Sequence, residues 1–145
     1  MNGGEDKEQQ SRQLRRTLDE LLTERKQLLT VFCQAAAANQ KDDQESHGQL
    51  FKRLCQLLMD YAALWQFEIH DVLLQSAREH AAAVQALKLH QSAIRQAADT
   101  ALDFNDSFDA SAAEDQVRNM DALLSSLGES LANRFEAEDH ILRHL

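Results

Sequence analysis

Proline is absent from the 145 residues and glycine occurs only four times, so the hairpin turns that a β-sandwich or barrel requires have almost no residues to form them. All-β architectures are excluded. Cysteine is nearly as scarce: Cys33 and Cys55 are too few for a disulfide framework and are not spaced as a CxxC pair, which predicts reduced, packed thiols. Long apolar runs are missing as well. No window approaches the roughly 18 uninterrupted apolar residues of a membrane span, and residues 1–13 lack the apolar core of a signal peptide. A soluble, cytoplasmic protein is expected. There is no Gly-rich phosphate loop, no nucleophile elbow and no telling Cys and His spacing, so the expectation is not an enzyme.

Charge of one sign is also short. There are 15 Lys and Arg against 24 Asp and Glu, a net −9, and the excess is uneven: residues 96–145 hold 3 basic and 11 acidic side chains. Binding to a phosphate backbone rests on Lys and Arg displacing counterions, so direct nucleic-acid binding is not expected. An acidic face favours encounter with a basic partner, such as a protein that itself binds DNA, or else serves solubility alone.

What the chain does have is helical periodicity, with 43% apolar residues in four stretches. The first runs through Leu14, Leu18, Leu21, Leu22, Leu28, Leu29 and Phe32. The second, from Leu50 to Leu73, passes Leu54, Leu57, Leu58, Tyr61, Leu64, Trp65, Ile69 and Val72 without a breaker residue. The third holds Val84, Leu87, Ile94, Ala97, Ala101 and Leu102, and the fourth Val117, Met120, Leu124, Leu127, Leu131, Phe135, Ile141 and Leu145. Capping boxes Ser46 with Gln49, Ser76 with Glu79 and Ser111 with Glu114 fall where the last three should begin. Ser126, Gly128 and Glu129 suggest a weak point in the last helix, since glycine costs about 1 kcal/mol against alanine there. These features predict an all-α, antiparallel four-helix bundle over residues 14–145, one domain, behind a flexible N-terminal tail of residues 1–13. Pairing of the helices between chains is the alternative, and the oligomeric state is not given. A chain of this length buries roughly 68–70% of its unfolded surface, so it needs no metal to fold.

Six histidines among many acids raise the question of a metal centre. No histidine has an acid three positions before it, as ferritin-like sites need, and none is followed by an acid four positions on. A weaker echo joins Gln66-Phe67-Glu68-Ile69-His70-Asp71 to Arg134-Phe135-Glu136-Ala137-Glu138-Asp139, similar to hemerythrin-like bundles but with Gln66 and Arg134 where histidines would stand. Amide and guanidinium groups are poor ligands. No cofactor is expected. Glu136, His140 and His144 share a helix face, where a final-turn interaction with the helix dipole explains the histidines without a metal. Glu138 falls on the apolar stripe, and a buried carboxylate needs a partner. Arg134, one turn earlier, or Arg25 of the first helix would supply it.

Several segments in order resemble the Rsd/AlgQ family of bacterial anti-sigma factors. They are residues 18–29 (LDELLTERKQLL), 54–61 (CQLLMDY with its leading Leu54), Phe67-Glu68-Ile69, 102–106 (LDFND), and 127–139 around Leu127-Gly128-Glu129 and Arg134-Phe135-Glu136. The resemblance spans the chain from Leu14 onward. It implies a helical bundle that binds the C-terminal DNA-binding domain of the primary sigma factor of RNA polymerase, sequesters it, and performs no catalysis. Carried over by position, it implies that Asp60 faces a sigma arginine with Leu18 and Leu22 as apolar neighbours, and that Tyr61, Phe67 and Glu68 belong to the same surface. The family usually shows Gly-His-Phe where this chain has Trp65-Gln66-Phe67, and Tyr where it has His70. A hemerythrin-type metal-binding or sensing bundle and a purely structural helical oligomer are the competing readings.

Overall fold

The computed structural model describes residues 3–41, 44–109 and 115–145, and side chains within 4–38, 48–107 and 120–145. Four long helices carry the fold: α1 (Gly3–Lys41), α2 (Gln44–Leu64), α4 (Ala81–Asp109) and α5 (Asp115–Leu142). Between α2 and α4 the chain passes through a π-helical turn (Trp65–His70), a short α3 (Asp71–Gln75) and a turn at residues 76–80. Among the described residues there is no strand, so the fold is all-α.

Contacts between side chains fix the direction of each helix. Arg25 of α1 reaches Tyr61 of α2 and Glu138 of α5, while Phe32, further along α1, meets Gly128, earlier in α5. Phe51 and Phe104 pair across α2 and α4 at 6.2 Å, and His90 of α4 stacks on His140 of α5 at 4.9 Å. These pairings run α1, α2, α4 and α5 alternately up and down about one core. Leu21, Leu28, Leu54, Leu73, Leu127 and Ile141 are fully buried there, each contributing about 1.5–3 kcal/mol by leaving water.

Of the N-terminal tail expected over residues 1–13, the described residues 3–13 are helical and continue into α1. No breaker follows Gly4, and Glu5 and Asp6 place negative charge in the first turn, where the helix dipole favours it. Ser76 does not cap α4. Its hydroxyl donates to the Val72 carbonyl at 2.7 Å and closes α3, so the chain turns through 76–80 before α4 begins at Ala81. The side chains of Ser46, Ser111, Glu114 and Asp115 lie outside the described residues. Gly128 interrupts nothing: α5 runs through it, and an added Cβ would stand 3.0 Å from the Phe32 ring. Its role is close packing of α1 on α5. Phe104 occupies the core position beside Phe51, leaving Leu102 exposed, and Cys33 is exposed on the outer side of α1 while Cys55 is buried.

The π turn was not foreseen from the periodicity. Asp71 N–H bonds to the Gln66 carbonyl, five residues back, which inserts one extra residue into an otherwise continuous helix. Trp65 and Ile69 face the core, and Gln66, Phe67 and Glu68 are exposed.

Candidate functional site

The surface that carries the expected binding residues is built on a buried polar lock. Glu138, 0% exposed on α5, accepts from Arg134 Nε at 2.9 Å, from Arg25 Nη2 at 3.1 Å and from the Tyr61 hydroxyl. Arg25 Nε donates to the same hydroxyl at 3.2 Å, and its Nη1 reaches Asp139 at 2.8 Å. The rings of Phe135 and Tyr61 meet edge to face, with Arg25 over Phe135 and Arg134 over Tyr61. The partners expected for Glu138, Arg134 and Arg25, are both present. Their chemistry closes: three donors meet one carboxylate, so the buried charge is matched.

Burial and the Glu138 charge push the Tyr61 hydroxyl far above its ordinary pKa, against the opposing pull of Arg25. Burial works against the Arg25 charge, but Tyr61, Asp139 and Glu138 more than offset it and hold the guanidinium protonated. Tyr61 is the single tyrosine, so its phenolate absorbance is an unambiguous readout. A phenol whose pKa is raised on folding stabilises the fold below about pH 10, and that contribution is lost as pH rises and the unfolded chain ionises. In alkaline titration the phenolate band should stay silent above about pH 10 and appear only together with loss of helicity. Ionisation of Tyr61 near pH 10 in the intact helical protein would contradict the lock.

Anchored through Arg25 and Tyr61, α1 and α2 expose a seam above the lock. The structure sorts the six expected residues into distinct places. Asp60 is exposed and accepts from Gln56 Nε2 at 3.0 Å. Tyr61, 1% exposed, faces the core and is not available as a direct contact; it positions the seam from beneath. Phe67 is 65% exposed on the π turn, and Glu68 beside it is exposed too. Eight residues of plain α-helix would rotate Glu68 about 80° away from Asp60, but the extra residue of the π turn cancels most of that rotation. Asp60 and Glu68 therefore share the outer face.

Leu18 is partly buried and Leu22 is 49% exposed, and with Leu29 and Cys33 Leu22 borders a shallow apolar groove on α1. Glu20 and Glu24 follow them two residues later, about 200° around the helix. Of these two acids Glu24 feels both Glu20, one turn earlier on α1, and Asp60 across on α2. Asp60 thus lies across the acidic flank of α1, and Leu18 and Leu22 lie on the other flank. A partner touching all of them has to straddle the α1 ridge. Sequence reasoning missed Glu20 and Glu24; their i,i+4 spacing is visible, but only the α1–α2 register brings Glu24 to Asp60.

Residues considered for a metal take other roles. Gln66 Nε2 donates to Asp71 at 3.2 Å, Arg134 is bound to Glu138, and His140 stacks nearly parallel on His90 in a groove of about 460 Å³ between α4 and α5. Among the described residues no group of three or more His, Cys, Asp and Glu is arranged to hold a metal ion, and no helix is long and apolar enough to cross a membrane.

A protein named Regulator of sigma D from Pectobacterium atrosepticum is 28% identical over 132 residues, covering 88% of this chain and 86% of the relative. One of the same name from Pectobacterium carotovorum is 28% identical over 87% of this chain and 85% of the relative, and one from Yersinia pestis 26% identical over 87% and 77%. No solved structure matches significantly. The family described as "Regulator of RNA polymerase sigma(70) subunit, Rsd/AlgQ" matches residues 1–145. The chain belongs to the Rsd/AlgQ family of regulators of the RNA polymerase sigma(70) subunit.

Proposed function

We propose that this protein binds the C-terminal DNA-binding domain of the primary sigma factor across the outer faces of α1, α2 and the π turn, and regulates transcription by sequestering it. The observation that carries this reading is the exposed acidic line of Asp60 and Glu68 with Phe67 beside it, in a family of sigma(70) regulators. A domain that reads promoter DNA presents basic side chains to phosphates. Carboxylates on the seam offer those side chains an alternative, and an exposed aromatic supplies the kind of anchor that dominates interface energy. Regulation then follows from occupancy, with no chemical step. Leu18 and Leu22 contribute apolar contact on the far side of the α1 ridge, and Asp60 is the residue facing a sigma arginine.

A pull-down of RNA polymerase components with the tagged protein tests the partner directly: the primary sigma factor should be retained. The affinity measured with the isolated C-terminal sigma domain should fall as salt rises, since the screening length drops from about 10 Å at 0.1 M to about 3 Å at 1 M. No retention of sigma would overturn the proposal. Affinity independent of salt would remove the acidic line from it and leave an apolar contact.

A further inference from the structure

We infer, on the basis of the sigma-binding reading, that Glu24 is the second carboxylate of a two-carboxylate seat formed with Asp60, which receives one arginine or lysine side chain of the partner and helps decide which partner is accepted. The seat is not visible in acidity alone. Glu24 Oε2 is buried and has no hydrogen-bond partner, the single such side-chain atom among the described residues. The Glu24 side chain as a whole is partly exposed, so this oxygen lies at the rim of the seam, within reach of a donor arriving from outside.

Nothing among the described residues relieves it. Its charged neighbours are Glu20 on α1 and Asp60 on α2, both negative. Arg25, adjacent in sequence, is turned inward and committed to Tyr61, Glu138 and Asp139. Glu24 belongs to none of the ion pairs among the described residues. The register is set by Arg25 on Tyr61, which places the preceding residues of each helix, Glu24 and Asp60, across the same seam. Asp60 is exposed, with one oxygen accepting from Gln56. A guanidinium or ammonium inserted from outside would give the orphaned oxygen a donor and cancel the repulsion between the two acids at once. Arginine suits this best, since its planar fork bonds two carboxylate oxygens together.

Burial, then Glu20, then Asp60, raise the Glu24 pKa in the free protein. Binding a cation favours the ionised form, so association is linked to proton release. Affinity therefore falls as pH is lowered and Glu24 takes up a proton before binding.

The test is titration calorimetry of full-length wild type, Glu24→Gln and Asp60→Asn, singly and together, against the isolated C-terminal sigma domain, alongside thermal melts. Glu24→Gln should weaken binding about tenfold while leaving the melting temperature equal to or above wild type. The double variant should lose less than the product of the two single losses, because both carboxylates act on one cation. As pH is lowered from neutral, the wild type should lose affinity more steeply than Glu24→Gln. Unchanged affinity in Glu24→Gln beside normal wild-type binding overturns the seat and leaves the sigma reading intact. A lowered melting temperature with the lost affinity overturns it too, by assigning Glu24 a structural role. Wild type that does not bind the sigma domain brings down both.

Discussion

Asp60→Ala should weaken binding to the C-terminal sigma domain roughly 30-fold or more while leaving helicity and melting temperature nearly unchanged. The two halves of that expectation have separate physical grounds. Within the protein the Asp60 carboxylate holds one exposed hydrogen bond, from Gln56 four residues earlier on the same helix. Pairs of that kind are worth about 0.2–0.5 kcal/mol, and easing the repulsion on Glu24 offsets part of it. In the complex, a carboxylate paired with a desolvated arginine leaves that charge stranded when it is removed, at about 2–5 kcal/mol. The lower figure already corresponds to about 30-fold at 1.4 kcal/mol per factor of ten. Glu136→Ala is the control, another exposed acid, which lines the groove between α4 and α5. It should barely alter binding. Equal affinity for wild type and Asp60→Ala would take Asp60 out of the interface and leave the family relationship as the remaining support for sigma binding.

Much of the fold was legible because helical periodicity and burial say the same thing over long stretches. The stripes of α2 and α5 match the buried residues closely, and Glu138 was readable as a buried acid because it interrupts an apolar stripe at an inward position. What escaped was local. A π turn inserts one residue by backbone hydrogen bonding and leaves the composition of the segment unchanged, so Trp65–His70 reads as ordinary amphipathic helix. Gly128 reads as a defect until Phe32, 96 positions away in sequence, is seen against it.

The candidate site was legible in kind and only partly in place. Asp60, Phe67 and Glu68 are exposed as a binding role requires, whereas Tyr61 is buried by the demand of Glu138 for a donor. Periodicity put Leu22 and Leu29 on the core stripe, yet both are exposed. The apolar stripe of α1 is therefore wider than the face that the helix buries. The acidic excess lies in residues 96–145, but the acids around the α1–α2 seam, Glu24 with Glu20 and Asp60, fall in a part of the chain where basic and acidic residues nearly balance. Segregation of charge by helix face, not by position along the chain, makes that patch, and only the register of α1 on α2 reveals it.

Glu138→Ala carries the largest effect on stability, an expected loss of about 3–5 kcal/mol. Removing the carboxylate leaves Arg134, 4% exposed, without its partner at 2.9 Å and leaves the Tyr61 hydroxyl without its acceptor. Arg25 keeps Asp139 and is the least affected of the three. For a chain of this length such a loss lowers the melting temperature by roughly 10 °C or more. The distinguishing measurement is the double variant Glu138→Leu with Arg134→Leu, which removes both buried charges and fills their space with apolar atoms. Replacing a buried pair in this way is often neutral or stabilising, so the double variant should be more stable than either single one. Because the lock lies beneath the seam and Asp60 above it, the double variant should also retain sigma binding once folded. A loss under about 1 kcal/mol in Glu138→Ala, or losses that simply add in the double variant, would show that the three donors do not depend on one carboxylate.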